Sequence, residues 1–163
     1  NSMVNLKKEK YLLFLLISCF VVLTSALAIQ YIFGYQPCNL CVIERIPYVL
    51  AIIILILNYN FENDQVFYSV LLLLVFSFSF IISVYHLGIE QGLIDESSIC
   101  ESNNKNLITK EEILNSLQEI RISCKDVALR IFDLSLTTYN MIISILMFLI
   151  STKIYLINNG IKK

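Results

Sequence analysis

The uncharged residues of this chain fall into four long apolar runs separated by short polar segments and one long one. The first run, Tyr11 to Phe33, holds twenty-three residues and no charge. At about 1.5 Å per helical residue it covers a hydrocarbon core roughly 30 Å thick. A cleaved signal peptide has an apolar region of about 7–15 residues, so this longer run predicts a retained span. The second run extends from Cys41 to Leu57, with Glu44 and Arg45 near one end and Pro47 marking a bend or a first turn. Asn58 to Gln65 is a short polar loop. The third run, Val66 to Leu87, is uncharged and ends on Tyr85-His86, and the fourth runs from Leu134 to about Ile157 with Lys153 placed to snorkel.

Only one hydrophilic stretch is long, Gly88 to Asp133, with nine acids and five bases. Within it Thr109-x-x-Glu112 has capping-box form, and Ile113, Leu114, Leu117 and Ile120 share one helical face. The pattern predicts an all-α integral membrane protein in one domain, 1–163. Its core is a four-transmembrane-helix bundle, and its long extracytoplasmic loop carries a short amphipathic helix. Asn1-Ser2 ahead of Met3 reads as a cloning remnant.

Four spans put both termini on one side and residues 34–40 and 88–133 on the other. Lys7, Lys8, Lys10, Lys162 and Lys163 assign the termini to the cytoplasm, although Arg121, Lys125 and Arg130 flank the fourth span on the far side. Composition agrees with a membrane protein: 57% of residues are hydrophobic and 15% charged, against about 25% charged in a soluble domain. A net charge of −1 leaves no basic footprint for nucleic acid.

Of five cysteines, Cys38, Cys41, Cys100 and Cys124 all fall on the side opposite the termini, where thiols and disulfides can meet. A paired set belongs in an oxidising compartment. Cys19 lies mid-span and reads as a small buried hydrophobe. Gln36-Pro37-Cys38-Asn39-Leu40-Cys41 sits at the seam between two apolar runs. Should a helix start there, its free N–H groups favour a thiolate, and Arg45 falls four residues after Cys41 on the same face. Glu44 points to another part of that helix, toward a neighbouring span or a bound ligand. His86 is the only histidine, readable as an interfacial side chain held by backbone or as a ligand contact. A zinc site would join two closely spaced couples, whereas the second couple here is 24 positions apart.

Pro37-Cys38-x-Leu40-Cys41-x-x-Glu44-Arg45 resembles the bacterial disulfide bond formation protein B (DsbB) family. The resemblance continues through Tyr85-His86-x-Gly88-x-Glu90, Cys124, Phe132-x-Leu134-Ser135-Leu136 and Tyr139-Asn140, in order over nearly the whole chain. It implies a quinone-dependent protein-disulfide oxidoreductase of the bacterial inner membrane that reoxidises a periplasmic DsbA-like thioredoxin-fold protein. It further implies that Cys100–Cys124 is the disulfide attacked by that partner, with Cys100 forming the mixed disulfide. Cys124 then exchanges with Cys38, and Cys41 faces a ubiquinone or menaquinone. Arg45 lies close to the quinone oxygens, with His86 and Glu44 as further candidates. Three other readings compete. A vitamin K epoxide reductase-like protein carries its quinone-side Cys-x-x-Cys late in the chain, whereas here it comes early. A scaffold with structural disulfides predicts indifference to loss of Cys41, and a zinc-binding module predicts stoichiometric metal.

Overall fold

The computed structural model describes residues 2–60, 64–95, 100, 123–125 and 129–161. In chain order these form α1 (Ser2–Tyr31), α2 (Asn39–Ile43), α3 (Ile46–Asn60) and α4 (Gln65–Glu90). A two-stranded antiparallel ribbon, β1 (Arg130–Ile131) and β2 (Leu134–Ser135), then leads into α5 (Leu136–Ile161). Four segments are long and apolar enough to cross a bilayer: Lys8–Tyr31, Asn39–Asn60, Gln65–Glu90 and Leu136–Gly160. They pack as a four-helix membrane bundle, with large apolar side chains such as Leu13, Phe14, Leu74, Ile81 and Leu149 left outward for lipid. The amphipathic helix read at Ile113–Ile120, with its cap at Thr109, lies outside the described residues.

The element ends differ from the runs of hydrophobic residues where backbone chemistry overrides hydropathy. α1 stops at Tyr31 rather than Phe33, and the chain turns at Gly34, whose φ of +75° suits a residue without a Cβ. α4 continues past Leu87 to Glu90 and closes in a Schellman motif. Gly92 takes φ +71°, its N–H donates to the Ile89 carbonyl at 3.0 Å, and Leu93 N–H donates to the Gly88 carbonyl at 2.9 Å. α5 begins at Leu136 because Leu134 and Ser135 are held in the ribbon, opposite Ile131 and Arg130.

The second span is interrupted. α2 ends at Ile43 and α3 begins at Ile46, so Pro47 occupies the first turn of α3. Proline brings no N–H to the Ile43 carbonyl and its ring crowds that position, which interrupts the helix one turn upstream. Cys41 thus lies in α2 and Arg45 in the break that follows it.

Hydrophobicity cannot drive helix association in lipid, because the tails are as apolar as leucine. Close packing of small residues and hydrogen bonds across helices do so instead. The buried positions of α4 follow a 3–4 spacing: Ser69, Leu72, Phe76, Ser79, Ser83, His86. The buried positions of α5 do the same at Thr137, Ser144, Met147, Ser151, Ile154 and Asn158, with half-buried Asn140 completing the series. These two stripes face each other in the most extensive helix pairing of the bundle. Asn140 Nδ2 donates to Ser83 Oγ at 2.7 Å, the Ser79 and Ser144 hydroxyls lie 2.8 Å apart, and Tyr48 of α3 donates its phenol proton to Asn140 Oδ1. At the far end Asn158 Nδ2 donates to Ser69 Oγ at 2.7 Å, and Lys8 of α1 donates to Gln65 Oε1 at 2.7 Å. Cys19 lies fully buried among Leu15, Tyr48 and Ala51, filling the space a small hydrophobe would fill.

Interhelical hydrogen bonds in membranes contribute about 0.6 kcal/mol on average and up to about 1.7. Replacement Asn140→Leu breaks two of them and leaves the Tyr48 hydroxyl with only Ser144, 3.3 Å away. We expect it to destabilise the bundle by about 1–2 kcal/mol in reversible unfolding in mixed micelles. Tyr48→Phe with Asn140→Leu should cost less than the two single changes added, since both remove one shared contact.

Candidate functional site

Cys38, Cys41, Cys100 and Cys124 form two disulfides, Cys38–Cys41 and Cys100–Cys124, with Cα atoms 5.1 Å and 5.5 Å apart. The chain brings both to one place. Cys38, Cys100 and Cys124 are buried together with Leu40 and Ile89, and half-buried Cys41 packs against that cluster. Such proximity is what exchange between the pairs requires, because a thiolate must approach the sulfur it attacks.

Cys38 is the N-cap of α2, and its Sγ accepts from the Cys41 backbone N–H at 3.1 Å. The helix-start contribution therefore falls on Cys38 rather than on Cys41. From α4, His86 reaches the same sulfur: its Nε2 lies 3.5 Å from Cys38 Sγ, and the side chain is 1% exposed. The other ring nitrogen, Nδ1, lies 3.3 Å from Glu44 Oε1 and 3.5 Å from Thr137 Oγ1. Thr137 gives its own hydroxyl proton to Glu90 Oε1 at 2.7 Å. Thr137, its proton given to Glu90, can only accept from His86. Nδ1 thus faces two oxygens and Nε2 faces the Cys38 sulfur.

Glu44, at the break between α2 and α3, is buried and meets His86 of the neighbouring span. Arg45, in the same break, is half-buried, and its Nη1 donates to Gln30 Oε1 of α1 at 2.6 Å. Both residues line one cavity of about 510 Å³ with Cys38, Cys41, His86 and Tyr48. Its remaining wall is mostly apolar, from Val21 and Ile29 of α1 to Ile143 of α5. Phe132, at the mouth, is 92% exposed and takes φ 51° beside Asp133 at 63°. Two successive positive φ values make the tight primed turn of a two-residue hairpin, an uncommon backbone for a bulky residue.

Sequence reading named the four cysteines, Arg45, His86 and Glu44, and the fold gathers all seven at one end of the bundle. It missed Gln30 and Thr137, which hold the guanidinium and the imidazole. Gln30, the lone amide of the first apolar run, and Thr137, one 3–4 step ahead of Asn140 and Ser144, carried a readable signal: polar groups placed at interface spacing in lipid-length runs.

The chain matches the family described as "Disulfide bond formation protein DsbB" over residues 8–154. It is 35% identical over 106 residues to an uncharacterized protein, RP370, of Rickettsia prowazekii (strain Madrid E), an alignment covering 63% of this chain and 62% of that one. The chain thus spans about three-fifths of the length of this relative. No solved structure matches it.

Burial orders the cysteines by access. After mild reduction, a bulky water-soluble maleimide should modify half-buried Cys41 and leave Cys19 untouched until the bundle unfolds. Peptide mass spectrometry reads both sites, and early modification of Cys19 would contradict this packing.

Proposed function

The chain belongs to the disulfide bond formation protein DsbB family, and on that premise we propose that it is a quinone-dependent thiol oxidase that generates disulfides. One observation carries the reading: two disulfides share a buried cluster, and one of them also lines a mainly apolar cavity between the spans. An electron pair can pass between the disulfides by exchange and leave only where an acceptor reaches the second.

A reduced DsbA-like thioredoxin-fold partner is the donor. Its thiolate attacks Cys100, forming an intermolecular disulfide and releasing Cys124 as a thiolate. Cys124 attacks Cys38, and Cys41 leaves as a thiolate into the cavity that Arg45 also lines. The partner's second thiolate releases Cys100, whose thiolate attacks Cys124, re-forming Cys100–Cys124 and freeing Cys38. The electron pair then rests on the Cys38–Cys41 dithiol. The Arg45 guanidinium favours the Cys41 thiolate and any negative charge developing beside it. Its bond to Gln30 holds it there without neutralising it, because an amide oxygen carries no formal charge. His86 stands at Cys38, positioned to take a thiol proton as exchange proceeds.

The cavity fits a quinone: its volume lies in the range of small-molecule sites, its walls are mainly apolar, and Cys41, Arg45 and His86 are among the polar residues that line it. A quinone held there would supply the sink for two electrons and two protons. Cys41, Arg45 and His86 are the residues that would hold its polar edge. The quinone is ubiquinone or menaquinone, drawn from the membrane pool. The cysteines lie on the periplasmic side of a bacterial inner membrane, and the termini are cytoplasmic.

Quinone reduction by the purified protein in detergent tests this reading, with a reduced thioredoxin-fold oxidase as donor. Cys41→Ser should abolish turnover with every donor. Cys100→Ser should lose turnover with the protein donor and keep it with dithiothreitol, which can reduce Cys38–Cys41 directly. Arg45→Ala should lower the rate about 10- to 100-fold, below the loss from deleting a fully enclosed electrostatic stabiliser. Quinone reduction that ignores Cys41 would leave a disulfide-stapled scaffold.

A further inference from the structure

Cys38 Sγ, Cys41 Sγ and a ring nitrogen of His86 lie within 4.8 Å of one another. We propose that the reduced Cys38–Cys41 pair and His86 Nε2 form a redox-gated site for a borderline-soft divalent cation, zinc being the reference ion. Three features of the geometry carry this.

The first is spacing. With a Zn–S bond of about 2.3 Å and a Zn–N bond of about 2.0–2.1 Å, two ligands at the tetrahedral angle stand about 3.5–3.6 Å apart. Nε2 stands 3.5 Å from Cys38 Sγ while the pair is still a disulfide. Cys41 Sγ already lies within 4.8 Å of the ring nitrogen. It has to swing away from Cys38, since two sulfurs on one zinc sit about 3.8 Å apart, and to settle about 3.5–3.6 Å from Nε2.

The second is the shell behind the ligands. A metal-binding histidine commonly gives its remote N–H to a carboxylate, which fixes ring and tautomer. Here Glu44 Oε1 and Thr137 Oγ1 face Nδ1, and Nε2 faces the sulfur. The Cys41 N–H on Cys38 Sγ meanwhile supports negative charge on that sulfur.

The third is charge. Two thiolates and a neutral imidazole around a dication sum to zero, which suits a buried site better than two bare thiolates do. This set is not the four-cysteine site weighed and discounted from the sequence. It uses one couple and a histidine that lies 45 positions after Cys41.

The gate follows from the chemistry. Two electrons and two protons from a dithiol donor convert the Cys38–Cys41 disulfide to a dithiol. Binding then breaks two S–H bonds, releases two protons and forms two S–metal bonds, with no further change in oxidation state. The disulfide form has no thiolate to offer, so the ion binds only the reduced protein and holds it reduced. Zinc is thereby an inhibitor of reoxidation, whatever the natural electron acceptor is.

The test uses the full chain carrying Cys100→Ser and Cys124→Ser, so that only one redox couple remains. It is reduced with a phosphine, desalted without oxygen and titrated with zinc against a chromophoric chelator. We expect one zinc per reduced chain and none per oxidised chain. The zinc should be lost in Cys41→Ser and held at least about 100-fold more weakly in His86→Ala. Glu44→Gln should weaken it about 10- to 100-fold, as removal of an outer-shell partner does. Cobalt should give a thiolate charge-transfer band only in the reduced chain. Equal zinc uptake by oxidised and reduced protein, or uptake indifferent to His86→Ala, overturns the site. The redox comparison uses one and the same chain, so misfolding of a variant cannot decide it. Quinone reduction without zinc binding would overturn this site and leave the thiol-oxidase reading standing; zinc binding without quinone reduction would do the reverse.

Discussion

No water competes for a hydroxyl or amide inside a bilayer, so the polar side chains of a membrane helix must find one another. That constraint sets the alignment of α4 and α5. Their stripes of serine, threonine and asparagine interlock at Ser83–Asn140 and Ser79–Ser144, and again at Ser69–Asn158 near the far end. Pairs at both ends of two 26-residue helices oppose sliding, because a shift of one turn would leave several buried groups unpaired. His86 and Thr137 are the next members of the same two stripes toward the cysteine end. The imidazole is therefore set at the height of Cys38 by the same pairing that holds the bundle together.

The interruption at Glu44–Arg45 does complementary work. A continuous helix through residues 39–60 would spread consecutive side chains about 100° apart and send Glu44 and Arg45 away from each other. Because Pro47 stops the α-helical bonding one turn early, these two charged residues sit at a break, where each turns to a different neighbour. Glu44 meets His86 of α4 and Arg45 meets Gln30 of α1. Charged groups beside an apolar wall are costly unless partnered. Arg45 donates to Gln30, whereas Glu44 Oε1 stands 3.3 Å from His86 Nδ1 without a hydrogen bond among the described residues.

The result is an asymmetric pair of sulfurs. Cys38 is buried and surrounded by an N–H, an imidazole and the second disulfide, whereas Cys41 is more open and faces the apolar cavity. Exchange chemistry gains from such asymmetry, since one sulfur must receive a nucleophile and the other must leave. The same crowding of donors around Cys38 gives the reduced state an affinity for a cation that the oxidised state lacks. Electron flow and metal binding are then alternative fates of one dithiol.

Much of this architecture was legible in the chain. The four spans follow from run length and the absence of charge, because a bilayer leaves few other solutions for twenty apolar residues. Parity then puts four cysteines on one side, and Cys-x-x-Cys with Glu44-Arg45 and the ordered motifs after it carried the resemblance to the family that the chain matches over residues 8–154. What the linear pattern could not decide was which atoms meet. Cys41 lies in α2 and Arg45 in the break after it, yet both line the one cavity, and spacing alone could not say that Gln30 holds the guanidinium there. Gln30, Thr137 and the partners of His86 depend on how α1, α4 and α5 rotate and slide against one another. Rotation and register come from pairwise hydrogen bonds between residues dozens of positions apart, such as Tyr48 with Asn140, and hydropathy carries no information about them. Hydrophobicity decides which residues enter the membrane; the directionality of hydrogen bonds decides how they face one another once inside.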